Sequence, residues 1–207
     1  MVDTFKRRLE TLRRRVVAWA EVVALYTAEH PCRTIMVRLS YVGVEDYQPG
    51  HINIYMKRLK ERLGDKLLAW AWVAELQARG AVHYHVLVVV PRGTSFPLPD
   101  ASGMWRHGSS NVQTARAGAW YLVKYVGKAY QKDLSKYPKH CRLYATSIRF
   151  GGAEVRSVYR TLAGLVKYPS NDTGRWMYVG SAVTEGYASD VLMPRAASYT
   201  GGATVPR

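Results

Sequence analysis

Acidic residues are scarce in this sequence. Fifteen Asp and Glu stand against 30 Lys and Arg, a formal charge of +15 over 207 residues. Positive charge left uncompensated on this scale attracts polyanions and fits nucleic acid, where each neutralised phosphate releases counterions. A ribosome-like structural protein or a basic membrane-surface protein would share the imbalance, so the charge names a class of partner and no chemistry. Cysteine is scarcer still. Cys32 and Cys141 stand alone, which excludes a disulfide framework and any CxxC zinc spacing and suits a reducing cytoplasm. Long apolar runs are missing too. Arg13-Arg14-Arg15 ahead of Val16-Val17-Ala18-Trp19-Ala20 has the outline of a twin-arginine or signal start, but Glu21 interrupts it. Nothing approaches the roughly 20 apolar residues of a membrane span, so a chain off the membrane, in the cytoplasm, is expected. No G-x-x-x-x-G-K-[ST] loop occurs either, which excludes a P-loop helicase within these residues.

What is present is globular: 48% apolar and 12% aromatic residues can build a core. The length allows one compact domain, expected over 1–168, with 169–207 as a C-terminal extension richer in Gly, Ser, Thr and Ala and ending in a loose tail. Phe5, Leu9, Leu12, Val16, Trp19, Val23 and Tyr26 recur at helical spacing over 3–29, with Asp3 or Thr4 as a cap and Pro31 beyond the end. Ile35, Val37, Leu39 and Tyr41 alternate, predicting a strand over 33–41. A helix follows on Ile52, Tyr55, Met56, Leu59 and Leu63, closed by Gly64. Apolar runs at 67–76 and 81–90 predict a hairpin, 91–103 a loop, and 105–114 a further strand interrupted at Gly108-Ser-Ser110. A helix over 117–134, a strand over 142–150, a short helix over 153–167 and a short strand at 176–179 complete the order, which suits an antiparallel sheet with helices packed on it.

His83 and His85 lie two apart on a predicted strand, so both side chains leave the same face, as two imidazoles sharing a cation must. Alone, such a pair is as compatible with structural histidines as with ligands. The hairpin supplies a third group. If Ala78-Arg79-Gly80 is a three-residue loop with Gly80 left-handed, Gln77 pairs with Ala81 and Glu75 lies opposite His83; a slip of one residue would turn Glu75 to the other face. A Glu in so apolar a run is costly if buried unpaired, and a metal ion is one way to offset that cost. Downstream, steps of 100° gather Tyr121, Lys124, Tyr125, Lys128 and Lys132 within an arc of about 100°. Leu122, Val123, Val126, Ala129 and Tyr130 fall opposite. Two phenols among three ammonium groups suit phosphate held for attack by a tyrosinate, and the lysines should favour the phenolate. An ordinary solvated basic face would carry the same residues.

Glu75, His83-Tyr84-His85 and Tyr121-x-x-x-Tyr125-x-x-Lys128, in this order and spacing, resemble the HUH endonucleases, and within them the replication initiators of single-stranded phages and small plasmids; Arg33–Tyr41 is similar to their first strand motif. The resemblance spans roughly 33–150. It implies a ferredoxin-like or RRM-like antiparallel sheet with the histidines on a central strand. It also implies a divalent ion (Mg or Mn, with Zn as a further option) held by His83, His85 and Glu75, and attack by Tyr121 or Tyr125 on a phosphodiester of single-stranded origin DNA. The product would be a 5′-phosphotyrosine and a free 3′-OH, and the second tyrosine would permit strand transfer. Lys124 and Lys128 each follow a tyrosine by three. Lys132, Arg79 and His107 are expected to touch nucleic acid, and duplex unwinding would fall to a host helicase. A transposase or relaxase with the same chemistry, or a non-catalytic RRM-like binding module, are the competing readings.

Overall fold

The computed structural model describes residues 4–130 and 134–165. Asp3, Lys132, the strand expected at 176–179 and the 169–207 extension lie outside them. Helix α1 runs from Thr4 to Glu29. Its apolar stripe of Leu9, Leu12, Val16, Trp19 and Val23 is buried as the spacing predicts, and the Trp19 indole donates to Ser147 O at 3.0 Å. Pro31 separates it from strand β1, Cys32–Ser40. Helix α2, His51–Leu63, buries Ile52, Tyr55, Met56, Leu59 and Leu63 and ends at Gly64.

Strands β2 (Ala69–Leu76) and β3 (Val82–Pro91) form the predicted hairpin in the predicted register. Gln77 N donates to Ala81 O at 2.9 Å, and Gly80 takes φ 88°, a left-handed backbone that β-branched or bulky side chains resist. Strand β4 is shorter than expected, Ser110–Thr114 rather than 105–114. The reason is local. Trp105 is buried and donates its indole N–H to Ser40 O at 3.1 Å, while Gly108 passes so close to β1 that a Cβ there would sit 2.2 Å from Ser40 O. Strand β5 is Tyr144–Ile148 and helix α4 is Gly152–Leu165.

The helix expected over 117–134 is also corrected. Gly118–Leu122 is a 3-10 turn, and only Val123–Tyr130 forms α-helix, α3. A wheel drawn for one regular helix misplaces the buried face across such a junction.

The five strands form one antiparallel sheet in the order β4-β1-β3-β2-β5. Both β1 and β2 run antiparallel to β3, so they are parallel to each other and α2 joins them in a split βαβ unit. One sheet face carries Ile35, Val37, Leu39, Trp72, Tyr84, Val86 and Val88 and packs on α2; the other carries Met36, Ala71, Val73, Leu87 and Val89 and packs on α1, α3 and α4. Strand β3 is therefore covered on both sides, which is why its sequence is a nearly unbroken apolar run. The run is broken only at its start, by His83 and His85.

Candidate active site on the central strand

Strand β3 lies in the middle of the sheet, and His83 and His85 leave it toward the α1/α3 face, in the file of Leu87 and Val89. The hairpin sets Glu75 directly opposite His83. Its carboxylate leans along the strand to His85 instead: Glu75 Oε2 and His85 Nε2 are 2.8 Å apart, with His85 only 4% exposed. The His83 and His85 rings meet edge to face, centroids 4.6 Å apart. A buried carboxylate bonded to an imidazole avoids the desolvation cost that either would carry alone.

Two groups come from β1 and were not foreseen. Ser40 pairs across the strands with His83, and its hydroxyl lies 2.8 Å from His83 Nδ1. Arg38 pairs with His85 and donates to Asn111 Oδ1 at 2.9 Å. The signal was present in the sequence. Arg38 and Ser40 alternate with Val37 and Leu39, so they sit on the opposite sheet face from those residues, and a β1–β3 register would have brought them to the histidines.

Helix α3 and its lead-in cover the pair. Tyr125 stacks on His85 with ring centroids 3.5 Å apart and planes inclined by 19°, and its hydroxyl donates to the Tyr121 hydroxyl at 3.3 Å. The expected open face of phenols and ammonium groups is corrected here. Tyr125 is 8% exposed and belongs to the core beside Leu122 and Val126, Tyr121 is half-buried, and Lys124 alone of these points to solvent. Nor is Tyr125 tuned toward phenolate. Burial pushes its hydroxyl well above the ordinary tyrosine range, the hydrogen bond to Tyr121 and the Glu75 charge push the same way, and Arg38 opposes them. The Lys128 side chain, like the whole of Lys132, is outside the described residues.

Arg79 and His107 are not brought to this cluster. Arg79 donates to the Tyr41 and Val42 carbonyls and, at 2.9 Å, to Gln77 Oε1, tying the hairpin loop to the end of β1. His107 stacks face to face on His51, centroids 3.5 Å apart, beside Tyr41 and Trp105 on the α2 side of the sheet. Burial lowers the pKa of both imidazoles, and each feels a further positive group, His107 beside His51 and Arg58 beside His107. Among the described residues no helix is long and apolar enough to cross a membrane.

The site thus draws Arg38 and Ser40 from β1, Glu75 from β2, His83 and His85 from β3, and Tyr121 and Tyr125 from the α3 region. Comparison with curated proteins and with solved structures gives no match. Comparison with family models gives one, the family described as Replication-associated protein ORF2, and the matched residues, 34–130, run from β1 to the end of α3 and contain every group just named. Through that segment, the chain belongs to the Replication-associated protein ORF2 family.

Proposed function

We propose that this protein starts rolling-circle replication by nicking, and later rejoining, one DNA strand at an origin through a tyrosine-linked intermediate. The observation that carries the reading is the stack of Tyr125 on His85, with Glu75 bonded to that histidine and the Tyr121 hydroxyl within reach of Tyr125. A nucleic-acid-binding module has no need of two adjacent phenols above a buried carboxylate–imidazole pair. The four strands in the order β4-β1-β3-β2 support the ferredoxin-like reading of the sheet.

In the proposed reaction a tyrosine oxygen bonds to the scissile phosphorus and the bond from phosphorus to the 3′-oxygen breaks. The 3′-oxygen takes up a proton and leaves as the free 3′-OH, and the 5′-phosphate stays on the enzyme. Tyr121 is our choice for the first attack. It is half-exposed and its oxygen accepts the Tyr125 hydrogen bond, an interaction that strengthens as the oxygen gains negative charge, whereas burial holds Tyr125 protonated. Tyr125 would then serve the second transfer. Arg38 and Lys124 flank the site and offset phosphate charge.

A divalent ion is part of the reading. The donor set fits one: Glu75 supplies oxygen, His83 and His85 supply nitrogen, and Ser40 at His83 Nδ1 assigns Nε2 as that ring's ligand atom. As they stand, the described residues include no group of three His, Cys, Asp or Glu set to hold a metal, because Glu75 and His85 are bonded to each other. The ion would take the place of the proton they share. When bound, Mg or Mn would polarise a phosphodiester oxygen. Strand separation would be left to a host helicase.

The test is incubation of the protein with single-stranded DNA of its own replicon and Mn, followed by a denaturing gel. A protein–DNA adduct is expected in the wild type and in Tyr125→Phe. It should be absent from the Tyr121→Phe/Tyr125→Phe double variant. An adduct in the double variant would overturn the nucleophile assignment, and binding with no adduct in the wild type would favour the non-catalytic module.

A further inference from the structure

Helix α1, β5 and α4 lie outside the family-matched segment, yet they gather a charged and aromatic surface at the site's end of the sheet. The arginines of α1 are concentrated in its first half, at Arg7, Arg8, Arg13, Arg14 and Arg15. That half is held beside the lead-in to β5, where Arg8 Nη2 donates to Cys141 O at 2.9 Å, while the apolar second half runs on to Trp19 at Ser147 and Tyr26 stacked on Phe150. The Arg15 guanidinium sits over the Tyr159 ring at 5.8 Å, and the Tyr159 hydroxyl is fixed by Thr146 at 2.8 Å. The charges of Arg15, Arg142 and Arg14 all reach the Tyr144 hydroxyl, where they oppose the upward push of burial. Arg15 and Arg142 are exposed, Tyr144 and Tyr159 half-buried, and among the described residues no carboxylate pairs with Arg14, Arg15 or Arg142.

Register ties this surface to the site. His85 pairs with Val73 and Val73 with Tyr144, so the three form one row across β3, β2 and β5 on the same sheet face. With strands about 4.8 Å apart, Tyr144 lies about 10 Å across the sheet from His85. Uncompensated guanidinium groups interleaved with partly exposed phenol rings are the chemistry that holds a single strand, cations taking phosphates and rings taking bases.

We propose that Arg14, Arg15 and Arg142, with Tyr144 and Tyr159, form a second contact surface for the single-stranded DNA that flanks the nicked phosphate. The inference rests on the nicking reading only for the identity of that strand.

The test uses the full chain and a fluorescein-labelled oligo(dT) 20-mer, titrated by anisotropy between 50 and 200 mM salt. Arg14→Gln/Arg15→Gln/Arg142→Gln should weaken binding and flatten the dependence of log affinity on log salt by about 2, at roughly 0.7 per lost phosphate contact. Arg58→Gln/Arg62→Gln/Arg106→Gln removes the same charge from the cleft between α2 and the 97–106 loop, on the other side of the sheet, and should leave the slope near wild type. Equal losses in both triple variants would reduce the effect to net charge and overturn the proposal. So would an unchanged slope in the first variant, or an equal loss measured on a 20-base-pair duplex. Should the first variant not fold, photocrosslinking of the wild type to a 5-iodouridine 20-mer decides: adducts on Tyr144 or Tyr159 are expected, and adducts confined to other peptides would overturn the surface. Tyr121→Phe/Tyr125→Phe should bind the 20-mer normally, so loss of nicking and loss of this surface are separate outcomes.

Discussion

Glu21 offers the sharpest quantitative check on the packing of α1. It interrupts an otherwise apolar turn, is 6% exposed, and burial pushes its carboxyl from the ordinary 4.5 up to about 7. In the unfolded chain the group loses its proton near 4.5; in the folded chain it keeps it to about 7. Between those values the folded state binds the extra proton, so stability falls as pH rises through this window and is level above it. The gap corresponds to about 3 kcal/mol at pH 8. Glu21→Gln imitates the protonated form at every pH. It should match the wild type at pH 4.5, gain progressively, and exceed it by about 3 kcal/mol at pH 8, a rise in melting temperature of roughly 6–12 °C for a domain of this size. Urea unfolding of both proteins at half-unit steps from pH 4.5 to 8 reads the difference directly, since titrations elsewhere cancel. A difference that stays constant with pH would show that α1 does not bury this carboxyl, and the docking of α1 on the sheet would need revision.

Other perturbations test the remaining contacts. Gly108→Ala should cost more than about 2 kcal/mol in urea unfolding, because φ is 151° and the new Cβ would meet Ser40 O, whereas Gly50→Ala, with φ −80° and open space around it, should be nearly neutral. Ser40→Ala should weaken Mn binding by about tenfold or more in calorimetric titration while leaving the unfolding midpoint close to wild type; unaltered affinity would remove Ser40 as the group that orients His83. The stacked His51 and His107 have pKa values below the ordinary 6.5, so the stability they lend is present above that pH and is lost as pH falls through their folded values. His107→Phe should therefore lose less stability than the wild type on acidification below 6.5, and parallel pH profiles for the two proteins would contradict the stack.

How far the sequence could be read depended on whether one element or several decided the outcome. The hairpin was legible because Gly80 fixes its loop and the loop fixes the register, so Glu75 could be set opposite His83 before any coordinates. The partner that Glu75 takes was not legible, since a cross-strand pair states which Cα atoms face each other and not which way a carboxylate leans. The face of the tyrosine helix failed for a different reason. A wheel assumes one uniform helix, and the 3-10 turn at Gly118–Leu122 shifts the angular origin, so Tyr125 turns onto the sheet and Lys124 away from it. Trp105 was placed in a strand by its neighbours' composition, but the close pass of Gly108 against β1 delays pairing until Ser110. Arg38 and Ser40 were visible as residues and mute as a site, because only the pairing of β1 with β3, strands separated by a helix and a third strand, gives them their neighbours.

The position of the polar cluster is itself an argument about its purpose. Strand β3 is covered on both faces, and from Val86 to Val90 every residue is apolar and buried. Extending that pattern to positions 83 and 85, with an apolar partner at 75, would avoid taking an imidazole and a carboxylate out of water, and swapping a buried ion pair for well-packed apolar side chains is commonly neutral or stabilising. Tyr125 adds to the cost, since its hydroxyl sits deep beside the Glu75 charge. Stability alone therefore does not account for this arrangement. What it gains is a preorganised carboxylate–imidazole pair fixed at the end of a rigid central strand, with two phenols above it and a guanidinium beside it, at the end of the sheet to which α1 brings its arginines. Such a constellation is costly as a core and serviceable as a place to break and remake a phosphodiester, which is why the stacking of Tyr125 on His85, more than any single motif, supports reading the chain as a nicking enzyme.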